Sequence, residues 1–305
     1  MRVGAFFLFI PILFFFHASL VLASPNNCDG FQRNDRLRSV LENLAMPAGP
    51  FKGAPLNPEQ ATIRFLSPEQ VMAILPNATP DQFWYVANFT VGDGRYLAEI
   101  PKEGIEKASL LLEDYRRNNE WHSLLRLKLS DEHPVILRPI TATQEIGDAT
   151  RKVADIVFDA RIWLVDGDKT PYTVKRAREG YYAIRHRLQT TEEFTQTSIL
   201  KRGHILNEYD LNLNSTQIGM LLGEVKNRSG IIAQGQPYSH SCQNCATELL
   251  LLFDLFEQES HFFRRQINRA SRFIARNPRQ LPHVLKRIGV LSNESGVLLR
   301  TPLSH

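Results

Sequence analysis

The chain is predicted to be an α+β protein: an antiparallel sheet with packed helices, preceded by a helical, Pro-rich N-terminal segment. Period-two alternation of apolar and polar residues runs through Trp121–Leu129, and β-branched and aromatic residues fill Val153–Val165. Longer stretches with helical spacing begin near Ser215 and at Asn244-Cys245. Pro47, Pro50, Pro55, Pro58, Pro68, Pro76 and Pro80 cut the segment before them into short pieces. An apolar content of 43% over 305 residues suffices for a substantial core.

Taken in order, Arg2, the apolar run Gly4–Leu22 and the small-residue pattern Val21-Leu22-Ala23 read as an export signal over 1–23, with Ser24 starting the mature chain. The run spans about 19 residues, so an uncleaved membrane anchor is the alternative. Export to a periplasm or cell envelope is the expectation. Residues 24–100 form the Pro-rich wrapping segment, with short helices at Asp35–Leu44 and from Pro68, where Ser67 is the N-cap. A thiol-enzyme-like α+β domain is expected over 101–277. It opens with a surface helix, Lys102–Arg117, on which Ile105, Leu112 and Tyr115 stand among charged residues. Trp121–Leu129 then reads as a strand, turned at Ser130-Asp131-Glu132 and returned by Pro134–Ile140 as a hairpin. Asp166-Gly167-Asp168 turns Val153–Val165 into Pro171–Lys175, a second hairpin. Tyr181–Ile199 fits neither template, and Ile205–Leu213 reads as a strand. Ser215 caps a helix ending at Ser229-Gly230, and the helix entered at Cys245 runs toward Asn277-Pro278. The basic tail is 278–305.

Charge and cysteine content narrow the function. The net charge of +4 is modest, but from His261 onward nine Lys and Arg residues (Arg264, Arg265, Arg269, Arg272, Arg276, Arg279, Lys286, Arg287 and Arg300) face only Glu294. Such a surface either is solvated without a partner or rests against anionic lipid or an anionic polymer. Nucleic acid is not expected for an exported chain without the aromatic or Gly-rich motifs that bind it, and neither a metal nor a cofactor is called for. Three cysteines in an oxidising compartment leave at least one thiol unpaired within the chain. Cys28 with Cys242 would leave Cys245 reactive; Cys242 with Cys245 would make a C-x-x-C pair. Asn77, Asn88, Asn214, Asn227 and Asn293 begin N-x-[ST] sequences, relevant only where that motif is glycosylated.

Cys245 lies where a polar turn, Ser241-Cys242-Gln243-Asn244, becomes an apolar helix. A thiol in the first helical turn faces unpaired backbone N–H groups and the positive end of the helix dipole, which favour thiolate, the nucleophilic form. A nucleophilic Cys needs a base, and among the nine histidines His122 sits on a predicted strand that could hold it rigidly. His133, eleven residues on, is the candidate to orient it across the expected hairpin. His240 is the competing base, and Asn244 is read as the helix cap rather than a reacting group.

Glu208-Tyr209-Asp210-Leu211-Asn212-Leu213, a helix closing on Gly223-Glu224-Val225, then Pro237-Tyr238, Asn244-Cys245 and Leu249-Leu250, in that order, resemble the periplasmic domain of the Lnb lipoprotein N-acyltransferase family. Trp121-His122-Ser123-Leu124-Leu125-Arg126 is similar to that family's His-bearing strand. The same order of His strand and Cys helix is found in permuted NlpC-type thiol enzymes, including lecithin:retinol acyltransferase. The resemblance covers 121–256 in patches. Trp121 replaces a Gly, Arg202-Gly203-His204-Ile205 replaces an Arg-Asp-Leu-Trp-like run, and no C-terminal membrane domain is expected. It implies a permuted NlpC/papain-like core. In it Cys245 attacks an ester or amide carbonyl, His122 serves as base and then acid, and His133 or another polar group orients the imidazole. Backbone N–H groups at the helix start, including that of Cys245, would hold the oxyanion; Glu224 and Tyr209 would be structural. The implied activity is an acyltransferase or hydrolase acting on lipid or lipoprotein through a Cys acyl-enzyme. The alternatives are a cysteine peptidase of cell-wall peptides using the same residues, and a non-catalytic envelope protein with a structural disulfide.

Overall fold

Among the described residues of the computed structural model, one sheet gathers the strands β1 (Arg64–Phe65), β2 (Phe83–Val91), β3 (Gly94–Pro101), β4 (Ile105–Asp114), β5 (Trp121–Leu129), β6 (Val135–Pro139), β7 (Arg151–Val153), β8 (Asp155–Trp163), β9 (Ala183–Thr190), β10 (Ile205–Asp210), β11 (Gln236–Pro237) and β12 (Val297–Leu299). Their order is β12-β10-β4-β5-β8-β9-β2-β3-β6-β7, with β1 on β2 and β11 on β9. The ladders are antiparallel except the single parallel contact of β2 with β9 at Thr90 and Gln189, so the sheet is mixed. The helices are α1 (Pro68–Ile74), α2 (Val174–Arg178), α3 (Thr191–Thr195), α4 (Ser215–Ile232), α5 (Cys245–Leu252) and α6 (Leu281–Arg287). The described residues are 46–57, 60–115, 120–140, 146–147, 149–233, 235–240, 243–253, 274, 277–291 and 297–299, within a unit running from Arg38 to His305. The signal over 1–23, the Asp35–Leu44 helix, Cys28, Cys242 and most of the basic stretch after Phe256 lie outside them.

The architecture is α+β, and several elements differ from expectation for identifiable reasons. The stretch 102–117 holds strand β4, not a surface helix. β4 lies between β10 and β5 and is buried on both faces, with Leu110 and Leu112 in the main core and Leu111 in a second cluster with Leu124, Val157 and Phe194. A strand covered on both faces loses the alternation that marks a half-exposed one. β5 and β6 do not form a hairpin. β5 pairs with β4 and β8, and β6 pairs with β3 and β7. Leu124, Leu125 and Leu127 bury opposite faces of β5, which demands an interior position. β8 pairs with β9, inside the stretch 181–199 that fitted no template, and not with Pro171–Lys175. In that segment Thr173 caps α2, its side chain accepting from Arg176 N at 3.1 Å.

Local caps lie close to where the sequence predicts them. Ser67 accepts from Gln70 N and Gln70 Oε1 accepts from Ser67 N, a full capping box with Pro68 in the first turn. α4 is capped one residue earlier than expected, by Asn214, and passes through Ser229-Gly230 to Ile232. Ser229 is buried there with its hydroxyl 2.9 Å from His186 Nδ1, a tertiary contact that a sequence window does not contain.

α4 and α5 pack on the face carrying Leu110, Leu125, Leu127, Phe158 and Leu188. α3, through Phe194, and the π-helical turn Gln196–Lys201, through Ile199, cover Leu111, Leu124 and Val157. Leu281 and Leu285 of α6 are fully buried in the main core, so the described part of 278–305 is not a separate tail. β2 and β3 likewise join the sheet rather than a wrapping segment. Gly104, with φ +84°, makes the turn into β4, and a Cβ there would lie 2.5 Å from His133 Cβ. Gly104→Ala is expected to cost about 1–2 kcal/mol, from the left-handed backbone and the collision together; urea denaturation measures it.

Candidate active site

Asn244 sets the start of α5. Its side-chain oxygen accepts from Ala246 N at 3.1 Å and Thr247 N at 3.3 Å, while Thr247 Oγ1 accepts from Asn244 N at 2.8 Å. This reciprocal cap makes Cys245 the first helical residue and leaves its N–H outside the cap. Asn244 Nδ2 also donates to the His240 carbonyl at 2.9 Å, tying the approach loop to the helix. Cys245 is a free thiol, 6% exposed, packed with Ala160, Ile184 and Ile232 and against Tyr238.

The sheet opens where the thiol meets it. The ladder between β5 and β8 ends at Leu124 and Asp159, whereas β8 continues beside β9 to Trp163. Past that point β5 is no longer paired with β8, and the Ser123 N–H donates to the sulfur. His122 lies two residues before Leu124 and so projects from the face that carries Asp159. Its Nε2 donates to Asp159 Oδ1 at 2.5 Å, and its side chain also hydrogen-bonds Cys245. With Nε2 taken by the carboxylate, Nδ1 is the ring nitrogen for the thiol. Asp159 has no solvent exposure, and its second oxygen accepts from Arg161 Nε in a close charged pair.

The electrostatics follow from this packing. Burial pushes the Cys245 thiol up, but the His122 imidazolium, the hydrogen bond to it and the donor at Ser123 outweigh burial and hold the thiol below its ordinary value. The Ser123 hydroxyl makes no hydrogen bond of standard geometry, so the backbone N–H is the effective donor there. Burial works against a charged His122; the Tyr115 phenol, Asp159 and Cys245 reverse it and raise His122 well above the usual imidazole range. Burial works against ionised Asp159 too, and Arg161 and His122 overcome it, holding the carboxyl far below its usual range. A raised imidazole and a lowered thiol both shift the pair toward thiolate and imidazolium. Alkylation of Cys245 by iodoacetamide is therefore expected to rise with pH at a midpoint below that of an ordinary thiol. Asp159→Asn should move that midpoint upward, because the imidazolium loses its counter-charge. Rates measured across pH 5–10 check both.

Cys245, His122 and Asn244 thus come together, and His133 does not. His133 lies beyond the far end of β5, about 23 Å of strand from His122. It is exposed in the turn, with Nδ1 3.1 Å from Ser130 Oγ. The expected cross-hairpin orienting role fails because β5 and β6 are not paired, and Asp159 occupies that role. Asp159 carried a signal in the sequence, a lone carboxylate inside the apolar run Ile156-Val157-Phe158-Asp159-Ala160. His240 Nδ1 meets the Tyr172 hydroxyl at 3.3 Å. Tyr209 packs against the core, and Glu224 accepts from Asn227 Nδ2 at 3.1 Å on α4.

Aromatic rings surround the thiol. Tyr172, Tyr182 and Tyr238 contact one another, with centroids 5.6–6.5 Å apart, and burial raises the Tyr238 phenol well above its ordinary value. On the His122 side Tyr115 lies 6.4 Å from the imidazole and 4.6 Å from His204; burial pushes its hydroxyl up to about 12.

Behind Cys245 lies a second polar cluster, buried except at Arg228. Glu248, one turn along α5, accepts from Arg228 Nη2 at 2.7 and 2.9 Å and from Gln243 Nε2 at 3.3 Å. His186 bridges Glu248 Oε2 at 3.2 Å and Ser229 Oγ at 2.9 Å. The order Ser229, His186, Glu248 imitates a hydrolase triad, yet the three are at most 1% exposed. No substrate reaches them, and the cluster fastens α5 to α4 and β9. Comparison with family models, curated proteins and solved structures found no match for this chain.

Proposed function

We propose that this protein is a thiol acyltransferase or hydrolase working through an acyl-enzyme. The observation that carries the reading is a Cys245 thiol at a helix start, in contact with an imidazole whose other nitrogen is held 2.5 Å from a buried carboxylate. The Cys245 thiolate attacks an ester or amide carbonyl, forming a C–S bond and an oxyanion. The N–H of Cys245 is positioned to donate to that oxyanion. His122 gives the Nδ1 proton to the departing oxygen or nitrogen as that bond to carbon breaks, leaving a thioester. An amine, alcohol or water then loses a proton to His122 and attacks the thioester, and the thiolate leaves. Asp159 keeps the imidazole oriented and stabilises its charged form; it does not itself transfer a proton.

The finer expectations remain part of the proposal: a permuted NlpC/papain-like core, residence in a periplasm or cell envelope after export, and lipid or lipoprotein as substrate. The apolar and aromatic neighbours of Cys245, namely Ala160, Ile184, Ile232 and Tyr238, favour an acyl chain over a polar cell-wall peptide. A free Cys245 speaks against a disulfide through that residue. A fluorophosphonate-free, thiol-directed acyl probe tests the reading in the intact chain. Saturable thioester labelling at Cys245 that disappears in Cys245→Ser and His122→Ala is expected; equal labelling of the variants would reject it.

A further inference from the structure

β9 presents Arg185, Arg187 and Gln189, alternate residues, from the sheet face that carries Asp159 and Arg161. The register sets Arg161 opposite Arg185 and Asp159 opposite Arg187, which places the three guanidinium stems within one or two strand widths, about 5–10 Å, of His122. Asp159 is already committed to His122 and Arg161. Arg187 Nε donates to Thr90 Oγ1 at 2.7 Å, and Arg185 Nη1 to the Gln60 carbonyl at 2.9 Å. Among the described residues neither has a carboxylate within ion-pair distance. Arg185 Nε and Gln189 Nε2 are buried donors without any acceptor. Native proteins rarely leave such donors unmet, and each costs about 1–3 kcal/mol.

This polar strip separates two covers of the same sheet face. On one side Trp163 and Ala183 pack with Met46 and Leu56, and on the other Val157 packs with Phe194 and Ile199. Burial and mutual repulsion push Arg185 down to about 10 and lower Arg187 as well, the behaviour of cations short of counter-charge. Glu193 and Glu113 act on the strip only at longer range; Glu113 Oε1 is engaged with His204 at 2.7 Å, while its Oε2 is buried without a donor yet outside ion-pair distance of the three guanidinium groups.

We propose that Arg161, Arg185 and Arg187, with Gln189, form a phosphate-binding site beside the catalytic pair. A carboxylate is satisfied by one guanidinium fork, whereas donors diverging from two strands match the several oxygens of a tetrahedral phosphate. The inference deepens the acyl-transfer reading and rests on it in one respect: the phosphate belongs to the acyl donor, whose carbonyl it holds near Cys245.

Calorimetric titration of the full chain, at fixed ionic strength, with inorganic phosphate and with short-chain phosphatidylglycerol below its micellar concentration tests it. Saturable binding of both, mutually competitive, is expected and identifies a lipid headgroup. Binding of inorganic phosphate alone supports the site with free phosphate as ligand. Arg187→Gln should weaken binding at least fivefold. Arg187→Lys, which keeps the charge and loses the fork, should weaken it by less. Cys245→Ser should bind undiminished, which separates this site from the thiol chemistry. If the wild type binds neither ligand, or if well-folded Arg187→Gln and Arg185→Gln bind as the wild type does, the proposal is overturned. A wild type that binds phosphate but takes no acyl label at Cys245 would instead reject the acyl-enzyme and keep the site.

Discussion

Replacing Cys245 by Ala is expected to lower acyl transfer by about 10⁴-fold or more, and His122→Ala to do nearly the same. The two losses should not add. Each removes the same thiolate–imidazolium pair, so the double variant is expected to retain about the activity of either single one. Single-turnover acylation with an activated ester measures all three. Cys245 is packed with Ala160 and Ile184, and Ala removes only a sulfur from that cluster, so the thermal midpoint should change little. A variant that stayed active would place the chemistry elsewhere.

The largest effect on stability is expected from Arg228→Ala. Glu248 is fully buried with its carboxylate held by Arg228 through paired hydrogen bonds, and His186 shares the same oxygen. Burial opposes ionised Glu248, but Arg228 and His186 bring it down to about 2. Removing the guanidinium leaves a fully buried carboxylate without its main counter-charge, which costs about 3–5 kcal/mol. For a chain of this size that corresponds to roughly 10 °C in thermal midpoint. Arg228→Ala with Glu248→Gln should recover part of the loss, since the second change removes the stranded charge. The pH dependence has a definite sign. Because Glu248 is depressed in the folded state, its stabilising contribution is full above the unfolded value near 4.5 and is lost as pH falls toward 2. Calorimetric melts of the wild type and Arg228→Ala between pH 3 and 7 should converge at the acid end. The same variant should slow acylation, because Glu248 lies one turn from Cys245 and fastens the helix that presents the thiol.

Both effects originate in α5, where local and long-range interactions meet. The reading of Asn244 as cap and Cys245 as first helical residue succeeded because a capping box spans only four positions, Asn244 to Thr247. The same holds for Ser67 and Pro68 at α1. His122 on a strand was recoverable because β5 alternates at its far end, where Arg126 is half-buried and Lys128 exposed. β4 resembles a helix in sequence because burial on both faces erases its period, leaving Ile105, Leu112 and Tyr115 at spacings a helix also allows.

Residues close together in the chain therefore announced the thiol at a helix start, its cap and the strand that carries the imidazole, since the energies that form caps and turns act over a few positions. The partner of that imidazole did not announce itself: Asp159 is 37 residues from His122, and only the pairing of β5 with β8 sets them side by side. The arginine strip and the buried Glu248 cluster likewise exist only once the strands and helices are packed. A buried charge is tolerable solely where its counter-charge is delivered by another part of the chain, and that delivery belongs to the tertiary structure.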